Sequence, residues 1–316
     1  MRSRSRLRSR GRPIVLKRKP REEESPTNIT INSLAVTVID RLNYAHMKPR
    51  SASPLLLFSR YDGNIVGGSI LGIGLALSGA CPGTVLVQAG VGIRSGWYAL
   101  DGAVLAGIAW IGFLGPLIEA RRKKYGAGLE KPPSTVYEAA NVDRATAFFG
   151  IEAIFAAIIA ATIKYTAASP FHPLVAPYIG GLFIGGAQLL SLLTRRCLVG
   201  VSSVFEDVGK HFWWLLRGAD TRKAPSSYDH LLFSAGIMSS AFALAKAIPE
   251  VVDNADAGVT PTLATLGGAL GVLGARMAGG CTSGHGISGI SVFSTSSFLT
   301  IASMFGAAAL VAPYVN

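Results

Sequence analysis

The sequence predicts an all-α integral membrane protein, a polytopic helical bundle, and three observations support this fold class. Half of the 316 residues are hydrophobic and only 15% are charged, whereas charged residues make up about 25% of a soluble domain. The apolar residues are gathered into stretches close to the roughly 20 residues that a helix needs to cross a bilayer. Two further apolar stretches are rich in glycine and break at a cysteine, which is typical of re-entrant helices.

Five stretches are predicted to cross the membrane as helices. They are residues 96–119, 146–168, 177–194, 230–248 and 297–315. Residues 200–217 are partly apolar, but they include Glu206, Asp207, Lys210 and His211. Because charged side chains inside a bilayer are costly, this segment is predicted to be an interfacial or re-entrant helix.

A four-part pattern occurs twice, about 200 residues apart. A glycine-rich apolar stretch ends in a cysteine loop, a short apolar piece follows, and a full span comes next. Interrupted apolar segments at corresponding positions of two halves indicate an internal repeat. The predicted units are a basic disordered tail at 1–28, a first repeat at 29–119 with the Cys81 loop, a cytoplasmic linker at 120–145, and a second repeat at 146–316 with the Cys197 and Cys281 loops.

The net charge of +12 belongs mainly to the N-terminal tail. Residues 1–21 contain ten Lys/Arg and no acidic residue. This composition predicts an arm that lies near anionic lipid, with a transit peptide or a misplaced start of the coding sequence as alternatives. No aromatic residues are interleaved with the arginines, so we expect no nucleic acid partner.

Basic loops predict the orientation in the membrane, because Lys and Arg are concentrated on the cytoplasmic side. The basic stretches are 121–124, 194–196 and 217–223. Loops 120–145 and 218–229 are therefore predicted to be cytoplasmic, and the acidic loop 249–259 to lie on the opposite side. The expected location is the plasma membrane, and an organelle membrane is the alternative.

The two broken helices predict an anion site. Backbone that is not helical survives at membrane depth only where it is buried in protein or lines a wet cavity. A helix that starts there directs its unpaired N–H groups and its positive dipole end into that cavity. Pro82 suits the first position of such a helix, and Thr282, Ser283 and Gly284 supply hydroxyl groups and adaptable backbone. A thiol at the same point suggests a ligand that itself contains sulfur.

Each candidate residue has a structural alternative. A single buried cysteine usually fills space in a core, and glycine-rich runs also allow close helix packing. Arg276, in an apolar helix five residues before Cys281, either attracts a divalent anion or pairs with an acid such as Glu152 or Asp101. His285 either donates to the oxygens of a bound anion or caps backbone.

The residues predicted to line a substrate path lie in or beside the three cysteine loops. They are Cys81, Pro82, Gly83, Thr84, Cys197, Arg276, Cys281, Thr282, Ser283, Gly284 and His285. Three scattered cysteines are too few for a disulfide framework or a zinc site. We therefore expect thiols, with no metal and no cofactor.

Three segments also resemble a known family. They are LSGACPGTVLVQAGVG at 77–92, AGGCTSGHGISG at 278–289, and RRCLVGVSSVF, which contains Cys197. They resemble the YeeE/YedE-type sulphur transport family, whose members are implicated in thiosulfate uptake. The resemblance covers residues 64 to the end of the chain.

The resemblance implies an hourglass-shaped helical bundle in which three cysteines pass thiosulfate along by S–H···S contacts without a cofactor. It makes Cys81 and Cys281 a central pair and places Cys197 toward the cytoplasm. From their matching positions we expect Cys81 and Cys281 to face one another near the bilayer midplane. Residues 22–63 hardly provide the leading helix that a complete first half would have, so this half is predicted to be truncated.

The sequence is compatible with two classes of function and with an inactive protein. The favoured one is transport of thiosulfate or a related small sulfur anion, because no general base, nucleotide motif or metal set accompanies the cysteines. The alternatives are a membrane-embedded sulfur carrier or sulfurtransferase-like enzyme, whose cysteine would take a persulfide, and an inactive truncated member of the family. Expected partners are the sulfur anion, the lipid bilayer and a cytosolic protein that accepts sulfur.

Overall fold

The computed structural model describes residues 33, 36–37, 44, 47–126, 132–165, 177–225, 227–252 and 258–315. The predicted tail at 1–28 lies outside these residues. Within the described residues the secondary structure is helical, and the one strand-like feature is an isolated bridge between Thr135 and Ser294. The all-α fold class is confirmed.

The helices are numbered here in chain order. They are α1 (Asp62–Ser78), α2 (Pro82–Val91), α3 (Arg94–Ala109), α4 (Gly115–Tyr125), α5 (Val136–Ala140), α6 (Arg144–Tyr165), α7 (Pro177–Arg195), α8 (Ser203–Leu216), α9 (Asp229–Ala247), α10 (Pro261–Ala278) and α11 (Thr295–Val315). A π-helical turn at Trp110–Leu114 joins α3 to α4, and a second π-helical segment, Ser283–Gly289, follows α10. Short 3-10 turns lie at Thr221–Lys223 and Pro249–Val251.

Five helical stretches of the described chain are long and apolar enough to cross a membrane. They are Asp62–Val91, Arg94–Tyr125, Arg144–Ala161, Asp229–Ala247 and Thr295–Val315. Four of them coincide with predicted spans, and the chain is a multi-pass membrane protein. The apolar part of α7, Ile179–Arg195, is shorter, so its crossing stays a prediction. Helix α8, with 14 residues, is about 21 Å long, which is less than the roughly 30 Å of a bilayer core.

Helices α1 and α10 form the centre of the bundle and touch through their backbones. A Cβ added at Gly67 would lie 2.7 Å from the carbonyl oxygen of Gly274, and one added at Gly274 would lie 2.5 Å from that of Gly67. Gly74 and Gly267 make the same mutual contact, at 2.6 and 2.8 Å. The order of these contacts makes the two helices antiparallel. Glycine is required at all four positions because no side-chain atom fits between the backbones.

Both central helices end in the same way. Gly79 and Gly279 adopt the left-handed conformation, with φ of 67° and 83°, which favours glycine. A cysteine comes two residues later in each case, followed by a short helical segment and then a long helix, α3 or α11. The order of elements matches the predicted pattern, and the division into two repeats stays a prediction.

Residues 47–61 are non-helical and cross the end of the bundle where α1 begins. The buried carboxylate of Asp62 accepts hydrogen bonds from the backbone N–H groups of Leu55 and Leu57, both at 2.6 Å. Arg122 of α4 donates to the Pro54 carbonyl at 2.7 Å and to the Ser53 hydroxyl at 2.8 Å. These bonds fix the segment beside the C-terminal end of α10, because Ser53 also donates to the Met277 carbonyl.

The predicted linker folds back onto the second half of the chain. Helix α4 extends to Tyr125, beyond the predicted end at residue 119. The Val136 N–H then donates to the Phe293 carbonyl at 2.8 Å, and the Thr295 N–H donates to the Ser134 carbonyl at 3.1 Å. The start of α5 is therefore docked directly beside the segment that follows the Cys281 loop.

Candidate functional site

Cys81 stands at the N-terminal end of α2. It is the N-cap residue, with extended backbone, and Pro82 follows at the first helical position as predicted. The Thr84 N–H lies 3.4 Å from the Cys81 sulfur and the Thr84 hydroxyl lies 3.2 Å from it. The thiol is partly exposed and sits where the unpaired N–H groups of the helix converge.

Cys281 occupies the matching position after α10, but it is fully buried, with 0% of its surface exposed. Its sulfur lies 3.2 Å from the Ser283 hydroxyl, and it also interacts with the side chain and backbone of Ser202. Apolar side chains of Leu71 and Met304 pack around it. Thr282 points away from the thiol, since its hydroxyl contacts the Met304 sulfur at 3.3 Å.

Cys197 lies in a non-helical stretch between α7 and α8, which we call the connecting segment (residues 197–202). The Ser191 hydroxyl of α7 donates to the Cys197 carbonyl at 2.9 Å and lies 4.0 Å from its sulfur. Gln188 accepts from the Val199 N–H at 3.0 Å. The connecting segment is thereby tied to the last turns of α7, and Cys197 is partly exposed.

The connecting segment brings the three cysteine loops together. The Val201 side chain lies 3.8 Å from a Cβ added at Gly83 in the Cys81 loop. The next residue, Ser202, interacts with the Cys281 thiol, and the Val199 carbonyl accepts from Ser288 in the π-helical segment. All three loops thus meet around six consecutive residues, although about 200 residues of sequence separate Cys81 from Cys281.

Arg276 pairs with an acid that the sequence analysis did not choose. Its guanidinium forms an ion pair with Glu206 of α8 and donates to the Ser202 hydroxyl at 2.6 Å. The predicted partners were wrong, because Asp101 is exposed and Glu152 accepts from Ser33 instead. The sequence predicts an interfacial or re-entrant helix for residues 200–217, and neither alternative indicates that Glu206 faces α10.

His285 is fully buried directly after the Cys281 loop. Its Nδ1 lies 2.9 Å from the Ser297 hydroxyl of α11, whereas its Nε2 has no hydrogen-bond partner among the described residues. The Ala278 carbonyl lies close to the His285 ring, but it already accepts a hydrogen bond from the Asn64 side chain. A buried polar atom without a partner is costly, so the Nε2 atom is able to take a further hydrogen bond.

One residue of the site, Arg50, was missed by the sequence analysis. Its Nε donates to the Gly284 carbonyl at 2.6 Å and its Nη1 donates to the Gly279 carbonyl at 2.9 Å. These contacts join residues more than 220 positions apart in sequence. No local signal separates Arg50 from neighbouring arginines such as Arg60, and its contacts appear only once residues 47–61 are folded against α10.

The chemistry of the site is that of thiols, hydroxyls and cations. None of the three cysteines, all in the described part of the chain, forms a disulfide. The described residues also contain no group of three or more His, Cys, Asp and Glu side chains that could hold a metal ion. The arrangement can bind an anion through cations and N–H groups, and it can offer soft sulfur contacts from more than one loop.

Comparison with known proteins gives a family and two relatives. The family described as sulphur transport matches residues 27–310, which include all three cysteine loops. The thiosulfate transporter TsuA of Spirochaeta thermophila is 24% identical over 286 residues, which cover 86% of this chain and 81% of that protein. A probable transporter of Xylella fastidiosa is 29% identical over 126 residues, covering 40% of this chain and 83% of that protein.

Proposed function

Since the chain belongs to the sulphur transport family, we propose that this multi-pass membrane protein carries thiosulfate, or a closely related sulfur anion, along a path lined by Cys81, Cys197 and Cys281. The similarity to a thiosulfate transporter over 86% of the chain supports the choice of substrate. The observation that carries the proposal is the meeting of the three cysteine loops around the connecting segment.

The chemistry of the loops fits a sulfur anion. A thiol is a weak donor and a soft, polarizable acceptor, so it can contact the terminal sulfur of thiosulfate without binding it tightly. The N-terminus of α2, with Cys81 as its cap, favours negative charge. Conduction needs sites that are favourable enough to enter and weak enough to leave. Several thiols in series meet this requirement better than one strong site does.

The packing of α1 against α10 supports the proposed division into two repeats. Gly67 contacts Gly274, and Gly74 contacts Gly267. With an offset of 200 residues, Gly67 corresponds to Gly267 and Gly74 corresponds to Gly274. The two contacts are therefore exchanged when the two halves are exchanged. Mutual contacts of this kind are expected at a two-fold axis. Because the two helices are antiparallel, such an axis would lie in the membrane plane, as in transporters built from inverted repeats.

The orientation and the partner remain part of the same proposal. Loops 120–145 and 218–229 are expected on the cytoplasmic side because of their Lys and Arg residues. In that orientation Cys197 lies near the cytoplasmic exit, where a protein that accepts sulfur could receive the product. Labelling of single introduced cysteines in these loops from outside intact cells would contradict the orientation.

The deciding experiment is uptake of ³⁵S-thiosulfate by proteoliposomes, together with growth of a sulfur-auxotrophic host on thiosulfate as its sole sulfur source. We expect uptake and growth with the intact chain and neither with empty liposomes or an empty vector. Mass spectrometry after exposure to thiosulfate tests the enzyme alternative. A stable persulfide on a cysteine without net uptake would replace transport by sulfur transfer.

A further inference from the structure

We infer that Arg50 and His285 form a subsite for the oxygen end of the sulfur anion, beside the Cys281 thiol that would contact its terminal sulfur. This inference rests on the proposed function, which it deepens by assigning the two ends of the ligand to different residues. With this subsite, the Cys281 loop would distinguish sulfur anions that carry oxygen atoms from simple sulfide.

The first support is the position of the Arg50 guanidinium. Two of its nitrogens are anchored to the carbonyls of Gly279 and Gly284, on either side of Cys281 in the sequence. Its Nη2 donates to no residue in the described part of the chain. This nitrogen lies 2.8 Å from a Cβ added at Gly284 and 3.7 Å from one added at Gly200, so it is directed between the Cys281 loop and the connecting segment.

The second support is the unpartnered Nε2 of His285. A Cβ added at Gly280 would lie 2.8 Å from the Arg50 Nη1 and 3.0 Å from the His285 Nε2. The two nitrogens therefore converge on one glycine, directly before Cys281. In the tautomer in which Nδ1 accepts from the Ser297 hydroxyl, the Nε2 atom carries the proton and can donate to an oxygen.

The third support is the local charge. Arg50 lies within electrostatic range of Cys281 and of a second cation, Arg276. Arg276 is paired with Glu206, which also binds Lys210 at 2.7 Å, whereas Arg50 has no ion-pair partner among the described residues. A partly buried guanidinium near a second cation is stabilised by an anion between or beside them. The Nη2 group of Arg50, which has two N–H donors, is the part of the guanidinium that can donate to the oxygens of a sulfonate group.

The glycines of the loop keep this subsite open. Gly280 and Gly284 both lie so close to the Arg50 guanidinium that a methyl group on either would meet a nitrogen at 2.8 Å. The equivalent positions in the first half, 200 residues earlier, are Ala80 and Thr84, which both carry side chains. The glycines on the two sides of Cys281 are therefore explained by the guanidinium as well as by the turn.

The test compares two ligands that differ in one anionic oxygen. Thiosulfate has a terminal sulfur and three oxygens, whereas methanethiosulfonate has the same terminal sulfur, two oxygens and a methyl group. We expect Arg50→Gln to raise the KM for ³⁵S-thiosulfate uptake on the order of tenfold or more, the effect of losing a charge-assisted contact. The inhibition constant of methanethiosulfonate should change by less than about threefold, since it presents less charge to the guanidinium.

Matched controls separate binding from support of the loop. Arg60→Gln removes the same charge from an exposed arginine ten residues away and should leave both constants unchanged. Arg50→Lys, which keeps the charge but loses the fork, should recover part of the preference for thiosulfate. Equal loss of affinity for both ligands in Arg50→Gln would show that Arg50 only supports the loop, and that result would overturn the inference.

A second variant tests the subsite if Arg50→Gln does not reach the membrane. Gly280→Ala places a methyl group against both nitrogens and should raise the KM for thiosulfate at least about tenfold by displacing them. Gly306→Ala, at a helix position with open space around it, is the control. Equal KM values for these two variants would overturn the inference, whereas failure of the unaltered protein to transport thiosulfate would overturn the proposed function.

Discussion

The two loops that carry Cys81 and Cys281 occupy equivalent positions but have different surroundings. Cys81 is partly exposed and caps a regular helix that begins at Pro82. Cys281 is fully buried, is followed by a π-helical segment, and lies beside Arg50 and His285. The same local sequence logic, a left-handed glycine and then a cysteine, thus yields one accessible thiol and one enclosed thiol. The difference in exposure predicts that the two thiols differ in reactivity.

The largest effect is expected at the enclosed thiol. Cys281→Ala and Cys281→Ser should both abolish uptake of ³⁵S-thiosulfate at equal levels of protein in the membrane. Serine keeps a donor but lacks a soft sulfur of similar size, so loss with serine argues for sulfur-to-sulfur contact. Cys81→Ala should be nearly as damaging and Cys197→Ala less so. Normal uptake by Cys281→Ala would contradict the proposed cysteine-lined path, but it would not affect the assignment to the family.

The second largest effect is expected on stability, from loss of the ion pair between Arg276 and Glu206. The first half has no counterpart of this ion pair. The position 200 residues earlier is Ala76. Glu206→Gln leaves the Arg276 charge without its carboxylate, and breaking a buried pair from one side costs about 3–5 kcal/mol. We expect a smaller loss here because Glu206 is partly exposed and shared with Lys210.

Thermal unfolding in detergent measures that loss. The double variant Glu206→Gln with Arg276→Ala, which copies the first half, should recover part of the stability. A double variant no more stable than Glu206→Gln would contradict the view that an uncompensated charge is the cause.

Thiol labelling tests the difference in exposure directly. With N-ethylmaleimide and peptide mass spectrometry, Cys81 should react at least about tenfold faster than Cys281, because a thiol without solvent contact reacts only when the structure opens. Thiosulfate at saturating concentration should slow both reactions. Equal rates at the two sites would show that the Cys281 loop opens as readily as the Cys81 loop.

The smallest effect is expected from a change in the linker at the start of α5, which packs beside the segment that follows the Cys281 loop. Thr135 caps α5 in a reciprocal arrangement with Glu138 and lies beside Ser294. Thr135→Ala should lower the free energy of unfolding by about 1 kcal/mol, the usual value of such a cap, with a small rise in the labelling rate of Cys281 and none for Cys81. Thr135→Ser, which keeps the cap, is the control.

The stabilisation that Glu138 gives to the cap of α5 should depend on pH only in the acid range. Hydrogen bonds from Ser134 lower the pKa of Glu138, a group that is almost fully exposed. A lowered folded-state pKa stabilises the fold above the ordinary pKa, and this stabilisation is lost as the pH falls through the folded value. The contribution of Glu138 to docking should therefore disappear only in acid.

The sequence was sufficient for the features that depend on neighbouring residues. Apolar length predicted four of the five candidate spans of the described chain. The breaks at Cys81 and Cys281 followed from Gly and Pro residues that fix the backbone locally. The partner of Arg276 and the role of Arg50 could not be predicted in this way. Both depend on how distant helices and residues 47–61 settle against α10, and that packing is decided by shape across the whole bundle.

The backbone contact between α1 and α10 has a mechanical consequence. Packed helices usually slide past one another by small rotamer changes in the layer of side chains between them. Here Gly67, Gly74, Gly267 and Gly274 leave no such layer, so a shift along the axis would drive carbonyl oxygens into Cα atoms. We expect α1 and α10 to move together as one rigid body. We therefore expect a conformational change of the protein to involve the surrounding helices rather than a shift between α1 and α10.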